Sequence, residues 1–258
     1  MIPPAPASCH RQSQRLFILN LLPAVACVLL LLTGHGMAAA AVFLLTFTII
    51  AVGTITPRCA LFGPFISALP PGSQGVCLSI DDGPDPETTL RLLDLLDQHQ
   101  AKAIFFLIGD RAARHPDLVR QIAQRGHLIG NHTQTHPAAT FWVLPPQRMW
   151  AEVAGCQQTL TSILGTAPEW FRPPVGHHNL FLAPPLRALS LTMLMWDCRG
   201  FDGVERAVAV VLRSIKKDLR PGAIILLHDV TPICAEVLSG TLDLLQQRGL
   251  STQLPLKP

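Results

Sequence analysis

Two long apolar runs at the front of the chain constrain it more than any other feature. They are Leu16 to Thr33 (LFILNLLPAVACVLLLLT) and Met37 to Ile55 (MAAAAVFLLTFTIIAVGTI), and neither contains Asp, Glu, Lys or Arg. Each reaches the roughly 18 uncharged residues needed to cross a bilayer core as a helix. Neither has the polar face that a surface helix of a soluble protein presents. Gly34-His35-Gly36 between them is enough for a tight turn, and Asn20 and Pro23 in the first run are tolerated in membrane helices. The chain is therefore expected to open with a tail, 1–15, followed by one or two transmembrane helices within 16–56. A second reading stays open: Arg11 and Arg15 ahead of an apolar stretch, with Ala38-Ala39-Ala40 behind it, also form a signal-peptide pattern. The second run would then remain as the anchor. Arg11 and Arg15 favour a cytoplasmic N-terminus and Arg58 the same side. A hairpin would leave the following domain in the cytoplasm and a single crossing would put it outside; the charges are too few to choose.

Composition excludes some classes of function. The formal net charge is +3 with 14% charged residues, and no Lys/Arg block of the kind that tracks nucleic acid occurs, so no nucleic-acid partner is expected. No protein partner is predicted either. Seven cysteines (Cys9, Cys27, Cys59, Cys77, Cys156, Cys198, Cys234) are dispersed with no CxxC pair, which argues against a disulfide framework and against a thiolate zinc site. They read as small buried residues.

After a linker, 57–74, short β-prone runs alternate with helical patterns. The runs are Val76–Ile80, Ala103–Ile108, His127–Gly130, Trp170–Arg172, Leu191–Trp196, Ala223–Leu227 and Ser251–Leu256. The helices are Glu87–Gln98, with Leu90, Leu93 and Leu95 or Leu96 on one face, then Pro116–Gln124, Gln147–Leu164, Arg206–Leu219 and Ala235–Arg248. This alternation predicts an α/β fold with a parallel sheet and crossover helices, in one domain over 75–258. Functional groups in such folds gather where strands end.

Five strand ends carry chemistry. Asp81-Asp82-Gly83-Pro84 follows the first run; two adjacent carboxylates repel unless a cation offsets them, which divides them into a metal ligand and a base. A helix cap or turn is the plainer alternative for such a Gly/Pro-rich stretch. His132 and His136 are four apart, a spacing that puts both imidazoles on one face of a helical turn. Two histidines and one carboxylate leave open positions on an ion, as a catalytic site needs. Arg172-Pro173-Pro174-Val175-Gly176 holds a guanidinium on a stiff turn, suited to clamping a carboxylate, or else a surface arginine. Trp196-Asp197-Cys198-Arg199-Gly200-Phe201-Asp202 ends the fifth run. Leu226-Leu227-His228-Asp229 ends the sixth and offers a histidine as proton donor, with an acidic neighbour to raise its pKa; a satisfied core histidine is the alternative.

DDGP, HTxxH, RPPxG and LLHD, in that order over about 75–256, resemble the polysaccharide deacetylase family, the NodB-type carbohydrate esterases, and Arg199-Gly200-Phe201-Asp202 resembles a membrane-associated bacterial branch of it. The resemblance implies a distorted (β/α)7-type barrel, a divalent metal, zinc by preference, and removal of N-acetyl groups from an amino-sugar glycan such as chitooligosaccharide or peptidoglycan. It implies that Asp82, His132 and His136 hold the metal, that Asp81 is the general base oriented by Arg172, and that His228 protonates the departing amine. A backbone N–H near Val175 would hold the oxyanion, with Trp196 and Leu226 lining the substrate site. The family's fourth motif ends in Asp-Trp, where this chain has Gly200-Phe201, so the carboxylate tuning His228 is expected to be Asp197 or, failing that, Asp202. Val175 replaces an aromatic residue. A lipid-linked amino sugar carrying an acetamido or formamido group is the alternative substrate, motivated by the anchor. A non-catalytic glycan-binding protein on a decayed hydrolase fold is a third reading. The expected location is the bacterial inner membrane, and the glycan substrate class leans toward the external face.

Overall fold

The front of the chain forms two helices, α1 (Ala7–Leu32) and α2 (Gly36–Ile55), joined by a turn so short that they pack as an antiparallel hairpin. The computed structural model describes residues 2–257. Helix α1 starts well ahead of the apolar run and takes Arg11 and Arg15 into its first turns. Apolar side chains of both helices point outward, among them Leu32, Met37, Phe43 and Ile55. Both helices are long and apolar enough to cross a membrane, and an exposed apolar surface of this extent requires lipid or protein cover.

The remaining elements run β1 (Cys77–Asp81), α3 (Thr89–Gln98), β2 (Ala103–Leu107), α4 (Gly109–Arg114), α5 (Pro116–Gln124), β3 (Leu128–Asn131), α6 (Pro146–Leu164), β4 (Trp170–Phe171), α7 (Ala183–Ala188), β5 (Thr192–Met193), β6 (Cys198–Arg199), α8 (Val208–Asp218), β7 (Ile224–His228) and α9 (Cys234–Gln247). All strand pairs are parallel, in the order β5-β4-β3-β2-β1-β7-β6. The outermost strands, β5 and β6, are consecutive in sequence. In a flat sheet they would stand about 29 Å apart at the usual strand spacing, yet the link from Met193 to Cys198 spans at most about 18 Å. The sheet is therefore curled into an incomplete barrel. Residues 66–69, from the expected linker, help to fill the opening. Ile66 bridges to Leu194, Ala68 to Ala223, and the Leu69 N–H donates to the Gly222 carbonyl.

The period-2 alternation of strands sorts side chains between two layers. Leu78 and Ile80 of β1 with Phe105 and Leu107 of β2 meet the helices, packing against Leu92, Leu93, Leu96, Val119, Ile122, Val211 and Leu238. Burying each such leucine stabilises the fold by roughly 1.5–3 kcal/mol. Ile104, Phe106, Phe171, Met193, Met195, Ile224 and Leu226 fill the inside of the curl. On α3 the buried face is Leu92, Leu93 and Leu96, while Leu90 points outward. Helix α5 begins at Pro116 and stops before Gly126, whose φ of +77° a side chain would resist. Three expectations are corrected. Ser251–Leu256 is reduced to one bridge between Val76 and Thr252. The seventh strand is instead β6, two residues long and too short to show periodicity. The short helices α4 and α7 lie where no amphipathic pattern signalled them.

Candidate active site

The same alternation delivers the site. Ser79 and Asp81 on β1 face inward beside Leu226 and His228 on β7, in register as Ser79 with Leu226 and Asp81 with His228. Asp81 Oδ1 receives a hydrogen bond from Arg172 Nη1 at 2.7 Å. Arg172 is fully buried, so the surface alternative is excluded. Its Nε donates to the Leu194 carbonyl, Nη2 to the Met195 carbonyl and Nη1 also to Ser79 Oγ, with the Phe106 ring 4.2 Å beneath the guanidinium. So thoroughly bonded a cation fixes the direction of the carboxylate it holds.

Asp82 sits at φ 73° directly after the strand. That left-handed turn swings its carboxylate away from Asp81 and toward the histidines. Its Oδ1 lies 3.4 Å from His132 Nε2 and 3.3 Å from His136 Nε2. The two histidines are not on a helical turn, as their spacing suggested. Residues 132–136 are an irregular loop, bent at Thr133 (φ 69°) and His136 (φ 54°), which brings the rings to 4.9 Å between centroids. The loop is pinned by Glu152 of α6, which accepts hydrogen bonds from the Thr135 N–H and hydroxyl.

These three residues fit a divalent cation. Their ligating atoms lie within 4.8 Å of one another, and Asp82 Oδ1 is buried with no hydrogen-bond donor among the described residues. His132 Nδ1 lies 2.8 Å from the Arg172 carbonyl, which makes it the protonated nitrogen and leaves the Nε2 lone pair facing Asp82. Burial, aided by the neighbouring His132, pushes His136 down to about 4, so its ring is a neutral donor. At Asp82 burial opposes ionisation, but the adjacent His132 imidazole, with His136 and His228 around it, holds the carboxyl well below its usual range.

Across the cleft, His228 Nδ1 lies 3.0 Å from Asp202 Oδ1, and the His228 backbone N–H donates to Asp202 Oδ2 at 2.8 Å. Burial disfavours the charged ring, yet the Asp202 bond and charge, with Asp81 and Asp82 behind, raise His228 to about 9. Asp202 therefore occupies the place expected first of Asp197. Asp197 points the other way: it accepts from the Ile224 N–H at the far end of β7 and pairs with Arg220. Val175, Trp196 and Leu226 line a cleft of about 330 Å³ together with Asp81, Asp82, His132, His136, Arg199, Phe201 and His228. Val175 sits at φ 50°, a strained conformation for a β-branched residue.

Two supporting residues carried weak sequence signals. Glu152 is a lone acid among buried apolar positions of α6. Asp229 is buried beneath Gly83 and accepts from the Thr88 and Thr89 hydroxyls; burial raises it to about 6 against those bonds. Four cysteines within the domain (Cys77, Cys156, Cys198 and Cys234) are buried and reduced, with thiols pushed up to about 11 or 12 chiefly by burial.

The arrangement has known relatives. The family model described as polysaccharide deacetylase matches residues 69–194, which hold the first three motifs. The chitooligosaccharide deacetylase of Bradyrhizobium sp. (strain ANU 289) is 34% identical over 62% of this chain and 73% of its own length. The chain belongs to the polysaccharide deacetylase family. A peptidoglycan-N-acetylglucosamine deacetylase of Bacillus cereus is 32% identical over 67% of the chain, a match spanning 61% of that protein. The solved family 4 carbohydrate esterase of Streptomyces lividans, in complex with acetate, superposes with a TM-score of 0.65 at 30% identity, covering 70% of this chain and 92% of that one. Like other polysaccharide deacetylases, the chain is thus a hydrolase of amide bonds built on a curled parallel sheet.

Proposed function

We propose that this chain is a divalent-metal-dependent N-deacetylase of an amino-sugar glycan of the chitooligosaccharide or peptidoglycan type, with a catalytic domain over 75–258 and a membrane anchor ahead of it. The observation that carries the proposal is the convergence of Asp82, His132 and His136 within 4.8 Å, flanked by an arginine-held carboxylate on one side and a carboxylate-held imidazole on the other. Zinc is the expected ion, since two imidazoles and a carboxylate suit it.

When bound, a divalent ion supplies a Lewis acid that polarises the amide carbonyl and makes a water easier to deprotonate. Asp82, His132 and His136 would hold it. Asp81 takes the proton of the attacking water, and Arg172 keeps its carboxylate aimed. The backbone N–H at Val175 holds the developing oxyanion. His228 enters protonated and gives its Nε2 proton to the departing amine nitrogen, while Asp202 holds Nδ1. Trp196 and Leu226 wall the acyl group. General acid and base steps each contribute about 10²–10⁴-fold.

The test is acetate release from N-acetylglucosamine oligomers by purified, zinc-loaded protein. Asp81→Asn is expected to retain stoichiometric metal and lose at least about 10²-fold in kcat. His132→Ala is expected to lose both metal, by elemental analysis, and activity. Absence of acetate release from every amino-sugar substrate, with metal bound, would refute the proposal.

A further inference from the structure

The two ends of the apolar hairpin are both seated on the catalytic domain. At the entering end, Trp150 Nε1 of α6 donates to the Pro3 carbonyl at 2.8 Å, and Cys9 is buried against Trp150, Ala154 and Leu189. At the leaving end, the His178 backbone N–H donates to the Thr54 carbonyl at 3.0 Å, and His178 Nε2 lies 3.0 Å from the Pro57 carbonyl. A chain that starts and finishes on one body crosses a bilayer an even number of times. Arg11 and Arg15 lie in the first turns of α1 and Arg58 follows α2, while the turn at residues 33–35 has no charged residue. Such an asymmetry turns the base of the hairpin toward the cytoplasm.

The leaving end also meets the cleft. Val175 is three residues before His178, so the cleft wall lies within about 11 Å of the residue whose N–H bonds the end of α2. In that cleft Arg199 stacks 3.8 Å over the Phe201 ring, and its guanidinium makes no hydrogen bond or ion pair among the described residues. Phe201 and Val204 on the rim are 47% and 78% exposed. An unpaired cation behind an apolar rim, at the foot of a membrane helix, suits an anionic head group whose tail stays in the bilayer.

Resting on the deacetylase reading above, we propose that the substrate is an N-acylated amino sugar joined through phosphate to a lipid of the cytoplasmic leaflet, with Arg199 holding the phosphate. Water adds to the amide carbon, the C–N bond breaks, both water protons end on the nitrogen, and a carboxylate departs while the ammonium stays on the lipid-linked sugar; the phosphate link is untouched. This places the domain on the face opposite to the external one suggested by the glycan class.

Full-length zinc-loaded protein in phospholipid vesicles tests the proposal, with N-acetylglucosamine on a short prenyl diphosphate compared against soluble chitotetraose. The expected kcat/KM is at least about tenfold higher for the lipid-linked sugar, and Arg199→Gln raises its KM about 10–100-fold, the worth of a charge-assisted hydrogen bond. Arg199→Lys, which keeps the charge, restores most of that loss. Equal or better turnover of chitotetraose overturns this substrate class and leaves the deacetylase reading standing; no acetate from either overturns both. A C-terminal fluorescent-protein fusion is expected to glow and an alkaline phosphatase fusion to be inactive; the reverse overturns the topology.

Discussion

Asp197 and Asp202 lie on either side of the short strand β6, and only Asp202 reaches His228. A strand displaces its residues along a line, so a few positions decide whether a carboxylate serves the catalytic end of the sheet or the opposite end. With Asp202 in place the His228 pKa stands at about 9, above its ordinary value of about 6.5. Activity that needs the protonated ring should persist through neutral pH and decline on the basic side, below about 9 in the metal-loaded enzyme because a cation on Asp82 offsets part of the charge that raises His228. Asp202→Asn is expected to move that basic limb down toward about 6.5, which a kcat/KM profile against pH would read. The sign for stability follows the same shift. The contribution of His228 to the metal-free fold is complete below about pH 6.5 and disappears as pH climbs through about 9. Asp197→Asn should leave the activity profile in place.

At the scale of elements, legibility depended on whether a residue's role is local. Strand ends carrying Asp81, Asp82 and His228 stood out because a polar residue terminates an apolar run. Arg172 was marked by its prolines, but its burial comes from carbonyls on the chain past β5, which no local pattern specifies. The histidine loop shows the limit most clearly: the spacing of His132 and His136 fits a helix, while positive φ at Thr133 and His136 together with Glu152 from α6 builds a loop that reaches the same end. Strands β4, β5 and β6, two residues each, are too brief for periodicity, and their pairing is set by neighbours. Gly130 of β3 is a further such case. A Cβ there would stand 2.4 Å from the Phe106 ring, the same ring that underlies Arg172. Gly130→Ala should cost about 1–3 kcal/mol as an overpacked core does, seen as a melting temperature lower by about 2–12 °C for a chain of this size. Activity should fall with it, because β3 leads directly into His132.

For the whole molecule, the apolar hairpin and the curled-sheet domain are joined more closely than a tether would require. Sequence separates them cleanly, since one is uncharged and the other alternates strand with helix; the stretch between them, 57–74, has no periodicity and reads as a spacer. In the fold that stretch supplies Ile66, Ala68 and Leu69 to the opening of the curled sheet. Anyone preparing a detergent-free version of this enzyme by trimming its front therefore faces a seam rather than a free end. A fragment starting at Gly75 would strip a stave from the barrel and leave the backbone near Met193 and Gly222 unmatched, a template for sticky edge-to-edge pairing. One starting near Ala60 would keep the stave. The shorter fragment should elute as aggregate and the longer as monomer on size exclusion, so the place to cut is decided by the barrel's missing plank and not by where the hydrophobic residues stop.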